Sequence, residues 1–473
     1  MSAYGGTTPI YSTFASFQWA DHSVLGQTWQ EMGINPATEC AGGDKEGICW
    51  VPASQHPVTG RRSHAGLGHY ADVLPRANYD LLVKHQAVRV MYCNGTQSGP
   101  PRVEVRSLAD DQLFTVKVTA EVILSAGAFH TPTVLQRSGI GPAAFLSSAG
   151  IPLVLDLPGV GSNFQDHSGP PVSWNYTTPY DFFPLPSDMV NNATFKAAAI
   201  AAFDETPAQG PYTLAGGNSA IYVSLPHLTP DFTTITAKIR QMALSSTAAA
   251  SHLPADLRTI PSIVAGYQAQ LLALANLLDN PFSPSLESPW ATSEVPAHTA
   301  WSFLLHPLSR GTVRLDLTSP LAQPILDYRS ASNPVDMDLH VAHIRYLRQL
   351  LATPTMQSHG ASEIGPGAAV AADDEALKAY IRDKSFLSFM HPCCTAAMMP
   401  KNKGGVVGPD LKVYGAKGLR VADMSVMPLV PAAHLSATAY AVGEKVSFFF
   451  SFLELSLVLM CANLCLCRRR ILS

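Results

Sequence analysis

The stretch that most constrains the fold is 113–142, where a strand pattern runs into a glycine and then into a helical pattern. In LFTVKVTAEVILSAG, apolar and β-branched residues first alternate and then become continuous, which predicts a buried strand at Glu121–Ser125. In TPTVLQRSGIGP, the sequence predicts a helix that starts at Thr131-Pro132, with proline at its first position, and ends at Gly139. A buried strand followed at once by a helix is typical of α/β proteins.

The other segments also mix strand and helix patterns. Two more strands are predicted in LLVKHQAVRVMY and RVEVRSL, and a further one in GTVRLDL at 311–317. Helices are predicted around 24–32, 262–278 and 337–352, the last from its apolar i, i+3, i+4 spacing. Two short strand-and-turn units follow residue 403. The chain is therefore predicted to be a mixed α/β protein, α/β with α+β character, built from interleaved segments.

The composition narrows the function classes. The chain has 473 residues, of which 47% are hydrophobic and 14% charged, so it is long enough for two or three domains and is not disordered. Its formal net charge is −4, and the two signs are mixed along the chain. Because this composition offers no basic surface for a phosphate backbone, nucleic-acid binding is not expected.

The eight cysteines do not suggest a disulfide framework or a metal site. They are scattered, without a CxxC…CxxC pattern, so we expect no metal. The conspicuous stretch is 389-FMHPCCTAAMMP-400, where a histidine precedes two adjacent cysteines. Adjacent cysteines make a poor disulfide, because their Cα atoms lie closer than the favoured separation. No further metal ligands follow at a suitable spacing, so the pair Cys393 and Cys394 is not predicted to bind a metal.

Two glycine motifs have to be set aside. Gly66-Leu-Gly68-His-Tyr-Ala71 and Gly139-Ile-Gly141-Pro-Ala-Ala144 both fit a loose GxGxxA pattern. A dinucleotide-binding turn follows a strand and opens a helix. The first motif follows a loop, and the second follows a helix and contains Pro142, so neither is predicted to bind phosphate.

Targeting signals are weak. The chain has three Asn-x-Thr sequons, at Asn94, Asn175 and Asn192, which occur often by chance, and no secretory signal peptide is visible, so the compartment stays open between secreted and cytoplasmic. Residues 447–467 are mostly apolar and near the length of a membrane span. Glu454 opposes insertion, and Lys445-Val446-Ser447 is what a translated intron donor site would encode. We therefore expect residues 446–473 to be an aberrant hydrophobic tail, foreign to the fold, and a membrane association to be absent.

Four stretches resemble the glucose-methanol-choline (GMC) flavin oxidoreductases. They are 125-SAGAFHTPTVLQRSGIGP-142, 157-LPGVGSNFQDH-167, 304-LLHPLSRGTVRL-315, and the region from His391 to Lys445 that contains GLRVADMS and PAAHLSATAYAVGEK. They occur in the family's order and span most of residues 60–445. Within the family, the sequence resembles the fungal members most.

The resemblance implies FAD-dependent oxidation of an alcohol to an aldehyde or ketone. In this family the hydroxyl proton passes to a histidine while a hydride passes to flavin N5, and the protein supplies orientation and proton handling. The positions that match the family's pair are His391, which would be the base, and His434, which would hydrogen-bond the substrate oxygen. No function is predicted for five of the other histidines: His22, His56, His85, His252 and His359.

The resemblance also implies contacts with the cofactor. The positions that match the family's flavin-binding segments are Val88, Ser125, Ala126, Gly127, Asp423, Ala433 and Leu435. Asp166 and His167 would be structural, fixing a turn near the flavin. Cys394 stands where the family has glycine, so its side chain is expected to crowd the flavin edge or the substrate.

The implied architecture is an incomplete, Rossmann-like FAD-binding domain interleaved with a substrate domain that has an antiparallel sheet and helices. The expected division is 1–60 as an N-terminal remnant, 61–167 as part of the FAD domain, 168–385 as the substrate domain, 386–445 as the catalytic FAD part, and 446–473 as the tail. The family's GxGxxG turn is absent, so FAD affinity is expected to be low and the FAD sheet to keep an unpaired edge.

Three hypotheses follow. The first is an FAD-dependent alcohol oxidase or dehydrogenase that uses oxygen or a quinone as acceptor. Its substrate would be a small primary or secondary alcohol, aromatic or polyketide-derived, from aryl-alcohol or secondary metabolism. The second is a truncated, catalytically inactive fragment. The third is a tail-anchored membrane protein built on the same scaffold.

Overall fold

The computed structural model describes residues 9–92, 99–177, 183–214, 217–290, 297–451, 457–462 and 465–470. Within these ranges, helices and sheets alternate along the chain as the sequence predicted, and the mixed α/β class is confirmed. The sequon at Asn94 lies outside the described residues, whereas Asn175 lies in a strand and Asn192 caps a helix.

The strands, in chain order, are β1 Gly47–Trp50, β2 Tyr79–Val83, β3 His85–Met91, β4 Arg102–Ser107, β5 Leu113–Lys117, β6 Glu121–Ser125, β7 Ile140–Gly141, β8 Leu155–Asp156, β9 Pro171–Asn175, β10 Ser219–Ser224, β11 Pro284–Trp290, β12 Ala297–Trp301, β13 Phe303–Leu304, β14 Thr312–Arg314, β15 Ile325–Asp327, β16 Ser362–Gly365, β17 Leu419–Val421, β18 Leu457–Ala462 and β19 Cys465–Arg470.

The helices are α1 Asp21–Glu31, α2 His69–Val73, α3 Gly127–Arg137, α4 Ala143–Ser148, α5 Asp188–Asn191, α6 Ala193–Phe203, α7 Leu225–Leu228, α8 Phe232–Leu244, α9 Ser246–Ser251, α10 Pro261–Asp279, α11 Pro334–Gln349, α12 Pro354–Ser358, α13 Ala368–Ala372, α14 Asp374–Lys384 and α15 Leu435–Ser451.

The larger sheet is antiparallel and has seven strands, in the order β1-β10-β11-β12-β9-β16, with β13 also paired to β11. Helices α8, α10 and α11 share one hydrophobic core with its strands β9, β10 and β11. The apolar period of α10 buries Leu271, Leu274 and Leu278 in a core that spans 25–34 and 172–381. This sheet with its helices is the predicted antiparallel layer.

The smaller sheet has the order β17-β6-β18-β19-β2. Strand β6 has the predicted bounds, and its centre is buried because β17 and β18 run parallel to it on either side. The expectation that 446–473 is foreign to the fold was wrong for the described part. Strands β18 and β19 pair within this sheet, and Val446 is buried in its core. Strand β6 is thus paired on both sides, and the outer strands of this sheet are β17 and β2.

Helix α3 begins earlier than predicted, at Gly127 and not at Thr131-Pro132. Pro132 lies inside the helix, where it cannot donate a hydrogen bond to the carbonyl four residues back. The hydroxyl of Thr395 donates to that carbonyl, Ala128 O, at 2.6 Å. A side chain from a distant segment thus replaces the missing bond, which explains why the proline does not stop the helix. Gly139 follows the helix with φ +73°, as a terminating glycine does.

Two local differences from the sequence prediction remain. The strand predicted at 311–317 is shorter, β14 Thr312–Arg314, and pairs with β15. Cys40 and Cys49 form a disulfide, which the scattered cysteine pattern did not reveal, whereas Cys393 and Cys394 are free thiols. Among the described residues, none of the helices is both long and apolar enough to cross a bilayer.

Candidate active site

Adjacent parallel strands β6 and β17 end at the same edge of the smaller sheet, and the residues that follow them meet there. Asp423 follows β17, and its Oδ2 accepts hydrogen bonds from the Gly127 N–H at 2.9 Å and from the Thr131 hydroxyl at 2.5 Å. Burial raises the pKa of the Asp423 carboxyl, and the hydrogen bonds from Ser425 and Thr131 oppose that rise. Ligands of open α/β sheets bind at this carboxyl edge.

The turn between β6 and α3 has room for a ligand. Gly127 has φ +78°, and apart from its chain neighbours and the backbone of its own helix no atom lies within 4 Å of the place where a Cβ would be. Ser125 Oγ is buried and has no hydrogen-bond partner in the described structure. A free hydroxyl beside an open helix N-terminus suits the ribose or pyrophosphate of FAD, so these residues fit the cofactor that the resemblance implies.

The other predicted cofactor residues, Val88, Ala433 and Leu435, lie on separate elements. Val88 is buried at a β-bulge of β3, and its carbonyl accepts a hydrogen bond of 2.7 Å from Arg137 Nε at the end of α3. Ala433 precedes α15, and Leu435 begins it, packed against Cys393 and Cys394. The structure thus brings Ser125, Ala126 and Gly127 together with Asp423 through one hydrogen bond. Leu435, in contrast, lies beside the cysteine pair.

The HPCCT segment is held between two other segments. The backbone of Cys393 exchanges hydrogen bonds with that of Gln165, and the Cys394 N–H donates to Met424 O at 3.1 Å. The side chain of Asn163 donates to the Cys394 carbonyl at 3.2 Å. Cys394 is fully buried and has φ +80°, a backbone conformation that favours glycine. Cys394, which stands where the family has glycine, therefore has the left-handed backbone conformation that glycine adopts most easily.

His391 is buried and held from both its backbone and its ring. Its N–H donates to Asp166 Oδ1 at 3.1 Å, and its Nδ1 lies 2.9 Å from Nδ1 of His167. Asp166 Oδ2 also accepts from Ser388, so this carboxyl fixes the turn that carries His391. Burial, followed by the charge of His434, lowers the pKa of His391 to about 4, so its imidazole is neutral at neutral pH. Burial likewise holds the pKa of His167 well below its usual value.

His434 faces His391 with ring centroids 5.2 Å apart. Its Nε2 lies 2.7 Å from Oε1 of Glu287, a carboxylate that is fully buried on β11. Burial alone would lower the pKa of His434, but the hydrogen bond and charge of Glu287 outweigh it and raise the pKa. The side chain of His434 is 42% exposed, so it can be reached by a ligand.

Three residues of this cluster carried no sequence signal. Glu287 lies in PSLESPW, where nothing marks it as a partner of His434. Tyr222 pairs with it across β10 and β11. Lys45 lies with its Nζ 5.0 Å from the Tyr222 ring centroid and donates to Ala432 O at 3.0 Å. Burial, followed by the charge of Glu287, raises the pKa of Tyr222. Only the sheet register could have revealed this cluster.

The remaining candidate residues do not form a metal centre. Within the described ranges no three His, Cys, Asp or Glu side chains are grouped so as to hold a metal ion. Of the five histidines predicted to have no function, His22 is the most buried, and it lies beside Trp290 away from the His391 pair.

Much of this chain is similar to known proteins. Two family models, both described as GMC oxidoreductase, match residues 14–169 and 307–443. Dehydrogenase xptC of Emericella nidulans is 32% identical over 444 residues, covering 94% of this chain and 69% of that protein. This chain spans about two thirds of the length of the curated relatives it matches.

Solved structures match over a similar extent. One described as a new fungal aryl-alcohol oxidase has a TM-score of 0.91 and 73% identity, covering 94% of this chain and 72% of that one. An FAD-dependent oxidoreductase from Chaetomium thermophilum has a TM-score of 0.87 and 33% identity, covering 94% and 74%.

Proposed function

We propose, from the premise that this chain belongs to the GMC oxidoreductase family, that it oxidises an aryl alcohol to the aldehyde or ketone. FAD is the cofactor of this family, and the Chaetomium thermophilum relative is FAD-dependent. The similarity to an aryl-alcohol oxidase at 73% identity supports the substrate class. The observation that carries the proposal is the facing pair of His391 and His434, in which one imidazole is neutral and the other is paired with a buried carboxylate.

FAD, when bound, supplies the acceptor for the hydride that leaves the alcohol carbon. The residues that would hold it are those of the turn at the end of β6, with Asp423 anchoring the first turn of α3. Gly127 leaves the open space at that turn, and Ser125 offers a hydroxyl that has no partner.

His391 would accept the hydroxyl proton. Two Nδ1 atoms 2.9 Å apart require that one imidazole donates and the other accepts. If His391 donates through Nδ1–H to His167, its Nε2 carries the lone pair, as a general base requires. His167 is fully buried and neutral, so it can accept that bond. His167 is then a positioning residue that selects the tautomer of His391, a role beyond the structural one expected from the sequence.

His434 would donate to the substrate oxygen. Glu287 raises the pKa of His434, which favours the imidazolium that can donate to a developing alkoxide. Such a donor stabilises the alkoxide while His391 takes the proton, so the two rings act on the same oxygen.

The bond to Glu287 also favours a second assignment of roles. An imidazole whose Nε2–H is held by a carboxylate has its lone pair on Nδ1 and gains proton affinity, as a histidine–carboxylate base does. In that arrangement His434 would take the proton and His391 would position the alcohol. The pH dependence of flavin reduction in a Glu287→Gln variant separates the two assignments.

The first experiment asks whether the chain binds FAD. The chain is titrated with FAD and the visible flavin spectrum is recorded, and a saturable, stoichiometric spectrum is expected. The flavin-loaded protein is then mixed with 4-methoxybenzyl alcohol without oxygen, and the bleaching of the flavin gives the rate of reduction. No binding of FAD would remove the basis for activity of this chain and leave the inactive fragment as its description.

His391→Ala tests the base. We expect flavin reduction to slow by about 10²–10⁴-fold, the usual contribution of a general base, with FAD affinity unchanged. His85→Ala is the matched control, because His85 is a histidine on β3 far along the chain from the pair, and its rate should equal that of the parent. A full rate in His391→Ala would show that His391 is not the base.

The electron acceptor is tested on the same protein. Reoxidation by oxygen yields hydrogen peroxide, whereas a dehydrogenase prefers a quinone. We propose oxygen, because the relative at 73% identity is described as an oxidase. Peroxide release with 4-methoxybenzyl alcohol supports this, and turnover only with benzoquinone contradicts it.

A further inference from the structure

A second cavity lies apart from the histidine pair, between α1 and the edge strand β1 of the seven-stranded sheet. Its volume is about 660 Å³, within the range of small-molecule sites. Three tryptophans line it, namely Trp19, Trp50 and Trp290, together with Phe14. A smaller cavity of about 320 Å³ shares Phe14 and Trp50 with it and extends it towards Asn218.

This cavity is on the face of the sheet opposite the active site. Successive side chains of a strand point to opposite faces. On β11, Glu287 points to His434, so Trp290, three residues later, points to the other face. On β10, Tyr222 pairs with Glu287 while Ser219 pairs with Trp290 and bonds to His22. The thickness of the sheet therefore separates the two sites.

Several polar atoms in the walls have no hydrogen-bond partner in the described structure. They are Gln18 Oε1, His22 Nε2 and Trp290 Nε1, and in the adjoining cavity both amide atoms of Asn218. Asn218 is only 4% exposed, His22 6% and Trp290 5%, so these atoms are largely cut off from bulk water. Buried polar groups are nearly always hydrogen-bonded, so a cluster of unpartnered ones around a cavity indicates a polar occupant.

The charged side chains of the cavity walls restrict the class of ligand that can bind. Glu39 is the one charged side chain among the described residues of the lining, and no lysine or arginine accompanies it. Burial lowers the pKa of His22 to about 4, so this imidazole is neutral at neutral pH. A carboxylate, phosphate or sulfonate ligand would therefore find no counter-charge, whereas a neutral ring would stack on the indoles and use the free donors and acceptors.

We propose that this cavity binds a neutral, planar aromatic molecule that carries a hydroxyl or carbonyl group, at a site distinct from the histidine pair. The tryptophans contact its ring, and Gln18, His22 and Trp290 hydrogen-bond its oxygen. Binding in this cavity requires neither FAD nor the proposed oxidation, so it can be tested independently of them.

The test is calorimetric titration of the full chain with 1-naphthol, with naphthalene-1-sulfonate as the charged counterpart. Saturable binding of 1-naphthol with one site is expected, and the sulfonate should not bind. Trp50→Ala should weaken the binding by about tenfold, because the ring loses a stacking partner. Gln18→Leu should weaken it by about threefold to tenfold, because the oxygen loses a polar partner. Trp50 is 50% exposed, so its removal should leave the fold intact, which the thermal melt of the variant verifies.

Two controls locate the site. Phe282→Ala removes an exposed aromatic side chain outside the cavity, and His391→Ala opens the active site, and both should bind 1-naphthol as the parent does. Loss of binding in His391→Ala with full binding in Trp50→Ala would place the ligand in the active site and overturn the proposal. Absence of saturable binding to the parent chain, or equal binding of the sulfonate, would also overturn it.

Discussion

The two faces of the seven-stranded sheet at β10 and β11 differ in how many of their polar side chains have hydrogen-bond partners. On one face Glu287 bonds to His434, and Lys45 bonds to a backbone carbonyl. On the other face, Trp290 Nε1 and His22 Nε2 have no partner among the described residues. The first face leaves one carboxylate oxygen, Glu287 Oε2, without a partner in the described structure, whereas the second leaves several polar atoms without one, around a cavity.

The difference shows how one strand serves two sites. Because the side-chain period of a strand is two, Glu287 and Ser288 are neighbours in the chain but point to opposite faces. A substitution at one of them should therefore affect one face and leave the other unchanged. The pair Glu287→Gln and Ser288→Ala tests this separation directly.

The largest expected effect is loss of stability in acid. Burial lowers the pKa of His298, His306 and His340 to about 4. In the unfolded chain these groups bind protons below about pH 6.5. Their contribution to stability is therefore fully present above pH 6.5 and is lost as the pH falls towards 4, by up to roughly 1.4 kcal/mol per pH unit for each histidine. Urea unfolding at pH 7, 5.5 and 4.5 measures it, and a flat stability over this range would contradict it.

Each face also holds a carboxyl with the opposite shift near a buried histidine. Burial raises the pKa of Asp21, whose Oδ2 lies 3.8 Å from Nδ1 of His298, to about 6, and it raises the pKa of Asp166, which accepts from the His391 N–H, to about 6. A carboxyl with a raised pKa makes the fold more stable as the pH falls from 6 to 4. This gain offsets the stability that the buried histidines lose over the same range. Asp21→Asn removes that offset on the far face, so its stability should fall more steeply in this window, by up to roughly 1.4 kcal/mol per pH unit.

The next effect is on catalysis and comes from Glu287→Gln. Losing a hydrogen bond to a charged group costs about 1.5–3 kcal/mol, so flavin reduction should slow by about 10- to 100-fold. Ser288→Ala, one residue along on the opposite face, is the matched control and should stay within about twofold of the parent. Equal slowing in both variants would mean that the two faces are not separate.

The pH dependence of Glu287→Gln distinguishes the roles of the two histidines. Glu287 raises the pKa of His434, so removing its charge should lower that pKa. If His434 is the donor, the alkaline limb of the rate profile moves to lower pH, because the imidazolium is lost earlier. If His434 is the base, the acid limb moves to lower pH instead. We expect the first outcome.

The smallest effect concerns the left-handed position in HPCCT. Cys393 and Cys394 are both fully buried, but only Cys394 has a positive φ, of +80°. Removing either side chain loses packing, and Cys394→Gly also relieves about 1–2 kcal/mol of backbone strain. Cys393→Gly should therefore be the less stable variant by about 1–2 kcal/mol in urea unfolding. Equal stabilities would indicate that the turn is unstrained.

Much of the fold was predictable where a local pattern was strong. Strand β6 has the predicted bounds because its apolar, β-branched run suits a position between two parallel strands. The helix predicted at 262–278 is α10 Pro261–Asp279, since its apolar residues are buried in the larger hydrophobic core. The family resemblance and its FAD cofactor were likewise confirmed, because they rest on motifs several residues long.

At other points the prediction from sequence failed because the deciding contacts join residues that are distant in the chain. The start of α3 was wrong because Thr395 satisfies the carbonyl that Pro132 leaves without a partner, and 267 positions separate Thr395 from Ala128. The pairing of β18 with β6 was missed because an apolar pattern does not indicate which strand a segment will pair with. The disulfide between Cys40 and Cys49 was missed because spacing alone does not define a pair.

The sequence by itself, through its resemblance to the family, identified His391 and His434 as candidate catalytic residues and showed that Cys394 stands where the family has glycine. These depend on residue type at a motif position, which the chain records directly. Only the tertiary structure decided that His434 lies against Glu287, that His391 lies against His167, and that a second cavity occupies the opposite face. Such relations depend on which face of which strand a side chain points to. That is set by the register of strands that are distant in the chain, and a single sequence does not record it.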